Sequence, residues 1–407
     1  DNLSAYEGDP LKTAAEFQRE IVNNLIKNIR GRHQGRLIIH SHDWMAGGII
    51  TAYAKATGLP VLHTVHNVFT AQIPLSYFSG VSISSLADYL YYTNYDGYIA
   101  CDAQATAIKN ATLINFVSEG FLSEIVNDFF QDRDLVPPGV RREVKGKYDL
   151  EAAFAILNAP SSHLYPERSA HLVRNFGPDD HILEAKKENL RAFQERTGLL
   201  LNPEAILFYW PSRLDYLQKG VSLLEAVIPS FVAAHPEVQV AIVADTVGQD
   251  QQLRERLGAL AYSSQGRICY WPFSEPLSVL GYAAASDVFG ASLYEPCGQI
   301  DQIGNLFGAT ATNRDTGGYH DKIEELMIAD GEGRTGRGNG FLFKDYDTGG
   351  LRYGLEKSLA FHLSPPDVRH RELVRIMKEA RARYPLGKMV DNYLMLYKIL
   401  NGQESLV

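Results

Sequence analysis

The residues best able to do chemistry sit where apolar runs stop. Ser292-Leu293-Tyr294-Glu295-Pro296-Cys297-Gly298-Gln299 follows one such run, and Asn313-Arg314-Asp315-Thr316-Gly317-Gly318 ends the next. Pro296 and Gly298 stop a strand before a helix begins, which puts the Glu295 carboxylate beside the unsatisfied amides of a helix start. A carboxylate there can hold the hydroxyls of a sugar, and backbone N–H groups opened by Gly317 and Gly318 can approach a phosphate. Each segment alone reads more simply as an ordinary strand-to-helix turn. Both together, at successive strand ends, point to a sugar-nucleotide site.

A second loop, Ser212-Arg213-Leu214-Asp215-Tyr216-Leu217-Gln218-Lys219-Gly220, has a cation at either end. Arg213 and Lys219 suit a diphosphate, whose charge grows as a nucleotide departs; a solvated loop with two unrelated cations is the commoner meaning. A third cluster, His40-Ser41-His42-Asp43-Trp44 with His63 and His66, has two readings. Imidazole and carboxylate suit zinc. In a strand, however, His40 and His42 share one face while Asp43 takes the other, and no third ligand is spaced to match. No metal is expected. Hydrogen-bonded core histidines are the plain alternative, more so for His40 and His63 than for His42 and His66. Arg141-Arg142-Glu143-Val144-Lys145 reads as a solvated loop. Ala244-Asp245-Thr246-Val247-Gly248 resembles a strand end without a dinucleotide fingerprint. Neither a Walker A loop nor a nucleophile elbow occurs, so covalent hydrolase chemistry is not indicated.

The elements that must position these residues follow from periodicity. Leu11, Ala14, Ala15, Ile21, Val22, Leu25 and Ile29 form one helical stripe over Pro10 to Ile29. Leu37-Ile38-Ile39 reads as a buried strand with polar residues after it, followed by a helix from Gly47 to about Thr57. Val61 to Asn67 and Thr112 to Ser118 are further strands, and Ser118 can cap a helix through Asn127. Ala205 to Ser212, Val238 to Ala244, Ile268 to Phe273, Val288 to Leu293 and Ala309 to Asn313 repeat the pattern, with helices at Gly220 to Ala234 and Asp250 to Ala261. Such alternation means parallel sheets with sites at their carboxyl edges. A charge-rich stretch, Arg168 to Asn202, joins the two series. The expected architecture is two doubly wound α/β domains with a cleft between them.

Composition bounds the function. A chain of 407 residues, 45% hydrophobic and 21% charged, is globular and long enough for two to three domains. With 39 basic and 48 acidic residues the net charge is −9, which argues against a nucleic-acid partner. Cys101, Cys269 and Cys297 are far apart, with no CxxC pair, and imply a reduced, cytoplasmic protein. No apolar run approaches the ~18 residues of a membrane span, so no membrane partner is expected. The opening Asp1-Asn2-Leu3-Ser4 is too polar for a signal peptide and lacks an initiator methionine, as in a chain that is processed, excised or represented in part.

Glu295-Pro296-Cys297-Gly298, Thr316-Gly317-Gly318, Ser212-Arg213 with Lys219-Gly220, and His42-Asp43-Trp44 resemble the bacterial glycogen synthase and plant starch synthase family. Thr64-Val65-His66-Asn67, Val117-Ser118 and Ile156-Leu157-Asn158 match in the same order, and the resemblance runs from about His40 to Phe343. It implies a GT-B fold: an N-terminal, acceptor-side Rossmann-like domain over 1–195, present in part; a nucleotide-sugar domain over 196–380; and a helix over 381–407 crossing back to the first. It implies retaining transfer of glucose from ADP-glucose or UDP-glucose to the non-reducing end of an α-1,4-glucan, without a metal or other cofactor. Glu295 would hold the glucose hydroxyls, with Cys297 and Gly298 lining that loop. Arg213 and Lys219 would bind the diphosphate, and Thr316 and Gly317 its distal phosphate. His42 would approach the glucose, with Asn158 nearby, and Trp271 or Phe273 would stack on the base. The sequence departs from the family in having no K-x-G-G-L loop, in Gln299 and Tyr319 where leucine is usual, and in a segment Ile300 to Phe307 poor in alanine and leucine. A donor- or glucan-binding module of a larger protein is the alternative those departures support.

Overall fold

The computed structural model describes residues 8–130, 133–246, 250–328 and 336–403; Val247 and Gly248 lie outside them. Its strands are β1 (Ile39–His42), β2 (Val61–Val65), β3 (Gln72–Pro74), β4 (Tyr92–Tyr95), β5 (Tyr98–Asp102), β6 (Leu113–Phe116), β7 (Ala153–Ala155), β8 (Ile206–Trp210), β9 (Val238–Val243), β10 (Ile268–Trp271), β11 (Asp287–Gly290), β12 (Thr310–Arg314) and β13 (Gly340–Phe343). The chain divides into two compact units, Asp1–Leu157 with Met389–Val407, and Asn158–Lys388.

In the first unit a parallel sheet runs in the order β1-β2-β6-β7, beside a small antiparallel sheet β3-β5-β4 that sequence periodicity did not reveal. The strand expected at Leu37-Ile38-Ile39 is displaced. It pairs from Ile39 opposite Val61 to His42 opposite Thr64, so His40, Ser41 and His42 lie inside it. Their polarity is tolerated because each finds a partner: His40 bonds the Tyr397 and Thr64 hydroxyls at 2.6 and 2.8 Å, and Ser41 bonds His63 at 2.8 Å.

The N-terminal helix also departs from its expected stripe. Asp9 caps it by accepting from the Leu11 and Lys12 amides, but the segment Ile21–Ile26 is π-helical and the helix continues to Arg32. The wider turn advances the register, so Ile26 is buried and Leu25 is 48% exposed. Buried Gln18 accepts from the Ile49 amide and donates to the Trp44 and Met45 carbonyls, fixing the chain that follows β1. Ser118 caps the helix Glu119–Val126 as expected, accepting from the Phe121 amide. The Met389–Val407 end belongs with this unit: Leu396 and Leu400, from the helix Leu386–Leu400, pack with Leu62, Leu113 and Ile156.

In the second unit a six-stranded parallel sheet runs β10-β9-β8-β11-β12-β13. The helices Val221–Ala234 and Gln251–Ser263 form as the sequence suggests. The stretch taken as a charged connector does not end the first unit at 195. It contains the helix Ile182–Thr197, whose Ile182, Ala185, Leu190 and Phe193 are buried with Leu207 and Tyr209 of β8. Lysine and glutamate on the outer face mask that stripe in the sequence.

Candidate active site

In the second unit the loops after β8, β11 and β12, three adjacent strands, come together. Asp215 Oδ1 accepts from the Leu217 and Gln218 amides, folding the first loop into a tight turn. Gly220 follows at φ +71°, and a Cβ there would lie 2.1 Å from the Ala291 carbonyl oxygen. Only glycine lets these two loops touch. The Leu293 amide then donates to the Gln218 carbonyl at 2.8 Å.

That contact carries Lys219 to Glu295. Lys219 Nζ is 2.5 Å from Glu295 Oε2, both side chains are at least nine-tenths buried, and Ser292 Oγ donates to the same oxygen at 2.9 Å. The sequence placed Lys219 and Glu295 on separate loops with separate tasks; the fold joins them in one ion pair, which no local spacing signals. The third loop is locked on as well. Gly318 N donates to the Glu295 carbonyl at 2.9 Å, and a Cβ on Gly318 would lie 2.0 Å from the Cys297 carbonyl. Thr316 and Gly317 are buried there, at the start of the short helix Gly317–Lys322.

Three supports escaped sequence reasoning. Arg314, at the end of β12, donates to the Leu293 and Lys344 carbonyls at 2.6 and 3.1 Å. Lys322 pairs with Asp301 at 2.7 Å with both side chains fully buried, and also donates to the Gly298 carbonyl. Tyr319 is buried against Gly298, where its ring occupies the space a Cβ would need. The helix Ile300–Leu306 forms despite its atypical composition, because Gln302, Ile303, Asn305 and Leu306 are all buried.

The remaining expected residues fall in different surroundings. Arg213 is exposed and makes no ion pair among the described residues. The Cys297 thiol is buried, and desolvation holds its pKa above the usual value; the Asn158 backbone hydrogen-bonds to it. Gln299 Nε2 donates to the adjacent Ala159 carbonyl at 3.3 Å, so Asn158 and Ala159 edge this loop. Trp271, at the carboxyl end of β10, is tied through its indole N–H to the Thr197 carbonyl. Phe273, just beyond, leaves its ring 54% exposed.

His42 belongs to the first unit. Its Nδ1 lies 3.0 Å from His66 Nε2, and the His40 and His66 rings flank it with centroids 4.3 and 5.3 Å away. Burial, and then the neighbouring His66, hold the His42 pKa below the ordinary value. Asp43 does not continue the strand: it begins the short helix after β1 at φ +48° and accepts from the His66 and Asn67 amides at 2.7 and 3.3 Å. Among the described residues no three His, Cys, Asp or Glu side chains group as metal ligands.

Parallel α/β sheets in both units, with converging strand-end loops in the second, make up the fold that solved GT-B glycosyltransferases share. A family model described as a starch synthase catalytic domain matches residues 2–135. The chain is 29% identical over 376 residues to a glycogen synthase from Acidiphilium cryptum, covering 90% of this chain and 72% of that one. It is 25% identical over 374 residues to a glycogen synthase from Bacillus cereus, covering 89% and 73%. Its fold is similar to the catalytic domain of starch synthase IV from Arabidopsis thaliana, bound to ADP and acarbose, with a TM-score of 0.80, 21% identity and coverage of 98% and 79%. An Anabaena protein, HepE, in complex with UDP and glucose, is similar at a TM-score of 0.59, 14% identity and coverage of 92% and 81%. By these matches the chain is similar to the glycogen and starch synthase family. No helix among the described residues is long and apolar enough to cross a membrane.

Proposed function

We propose that this protein transfers glucose from a nucleotide sugar to the non-reducing end of an α-1,4-glucan, with retention at the transferred carbon. The observation that carries the reading is the buried Lys219–Glu295 pair where three strand-end loops meet, in a chain similar to this family. Two desolvated charges are weak evidence for stability, because taking both from water costs about as much as their attraction returns. In a donor complex they serve chemistry instead. Glucose hydroxyls donate to Glu295, and Lys219 turns to the diphosphate together with the exposed Arg213 and the amides at Thr316 and Gly317. Cys297, Gly298 and Asn158 line the sugar loop, and the Phe273 ring offers a face to the base.

The acceptor hydroxyl attacks the glucose C1 on the face from which the diphosphate leaves. The C1–O bond to phosphate breaks as the new glycosidic bond forms, and the hydroxyl proton passes to the departing phosphate oxygen. No protein nucleophile is needed. Lys219 at the buried loop junction and Arg213 at its exposed edge stabilise the charge that grows on the departing diphosphate, which is the largest catalytic contribution available here. His42, oriented by His66, is the residue of the first unit that this reading enlists. A cytoplasmic location is part of the proposal, supported by three cysteines that are buried and free.

The test is release of nucleoside diphosphate from ADP-glucose and UDP-glucose, with glycogen present or omitted. Release that needs both donor and glucan supports the reading. Binding of a donor with no release under any acceptor would favour a binding module instead.

A further inference from the structure

The second unit holds a cavity of about 410 Å³ at the opposite edge of its sheet from the site above. Ala205 and Ile206, where β8 begins, and Ser286, just before β11, line it. At ~3.3 Å per residue, the five residues of β8 put about 15 Å between this cavity and the Arg213–Lys219 loop.

Its base is cationic. Lys186 and His362 are 7% and 4% exposed, and Arg369 lies beside them. Lys186 Nζ donates to the Ala283 and Phe307 carbonyls at 3.2 and 2.9 Å, which leaves one of its three protons uncommitted. Arg369 Nε is buried without a hydrogen-bond partner. Neither cation makes an ion pair with a carboxylate among the described residues. His362 registers their combined field: burial, then Arg369 and Lys186, drive its pKa down to about 3. The Lys186 ammonium is itself held down to about 7, by burial. The acidic side chains lie outside, Glu184 and Asp367 exposed at the rim and Glu204 occupied by Lys187 at 2.5 Å. The walls are apolar, from Leu183, Leu190, Ile206 and Leu373.

We propose that this cavity binds a small organic anion, with a phosphate or carboxylate head on Lys186 and Arg369 and an apolar or aromatic body against the leucine walls. The volume is that of an ordinary ligand site. The head supplies the acceptors that Arg369 Nε and the third Lys186 proton lack, and it offsets the buried Lys186 charge. The anion is a ligand distinct from the sugar donor, because the two sites lie at opposite ends of the same strands.

Calorimetric titration with phenyl phosphate and with inorganic phosphate tests this. Phenyl phosphate is expected to bind with millimolar or tighter affinity, and several-fold better than inorganic phosphate. Arg369→Gln should weaken it at least tenfold, and Asp367→Lys, a change at the exposed rim, should tighten it. Arg213→Gln, in the donor loop, should leave it within twofold. Saturable binding absent for both probes would overturn the proposal. So would binding unchanged in Arg369→Gln, binding abolished by Arg213→Gln, or equal affinity for the two probes.

Discussion

At the scale of the residue, Lys219 and Glu295 carry the account. Removing one partner leaves the other charged and buried, which costs about 3–5 kcal/mol. Lys219→Met should therefore lower unfolding free energy by that order, and the double variant Lys219→Met, Glu295→Leu should recover most of the loss. Turnover should not recover with it. Denaturant unfolding beside steady-state rates separates the two effects, and restored activity in the double variant would show the pair to be structural. In the proposed mechanism Lys219→Ala lowers kcat by about 10²–10³-fold, the cost of one fixed charge-stabilising donor. Glucan affinity should hold, and equal losses in both would point to a collapsed loop.

At the scale of the element, glycines decide whether the three loops can meet. Gly220→Ala combines positive φ with overlap of the Ala291 carbonyl and is expected to destabilise by at least about 1–2 kcal/mol. Gly258, inside the helix Gln251–Ser263, has nothing within 4 Å of its missing Cβ, so Gly258→Ala should stabilise by about 0.5–1 kcal/mol. Thermal melts of the two variants should move in opposite directions. Much of this level was legible in the sequence. Strand–helix alternation located β8 to β12 to within three residues at each end, because buried parallel strands are short apolar runs between glycines and prolines. The stopping residues Pro296 and Gly298 marked the Glu295 loop. What stayed hidden was long-range. Lys219 and Glu295 are 76 residues apart, Asp301 and Lys322 are 21, and no local period links either pair. The π-helical turn at Ile21–Ile26 is hidden for a related reason: its register shift depends on what the helix packs against.

At the scale of the whole molecule, buried neutral histidines set the response to acid. His63 and His362 are fully buried with pKa values lowered to about 3, and His40 to about 4, burial being the first cause in each. Unfolded, these groups bind protons near pH 6.5, so between pH 6.5 and about 4 the unfolded chain holds more protons than the folded one. Their contribution is present above pH 6.5 and is lost as pH falls through that window. Asp287 acts in the opposite sense. Burial raises its carboxyl to about 6, which favours the folded state between pH 6 and its ordinary value of 3.8. His40 and His63 lie in the first unit, whereas His362 and Asp287 lie together in the second and oppose one another, so the first unit should lose more stability. Hydrogen exchange from pH 7 to 5 should show protection around His63 in β2 falling before protection around Asp287 in β11. The reverse order would contradict this assignment of charge states.

The central claim is that Glu295, in the loop after β11, serves transfer of glucose to a glucan. Its most direct test is incorporation of labelled glucose into glycogen from ADP-glucose and from UDP-glucose, by the native chain and by a folded Glu295→Ala variant. The account predicts incorporation from at least one donor by the native chain and its loss by two orders of magnitude or more in the variant. Incorporation that survives the substitution, or a folded native chain that incorporates from neither donor, would contradict it.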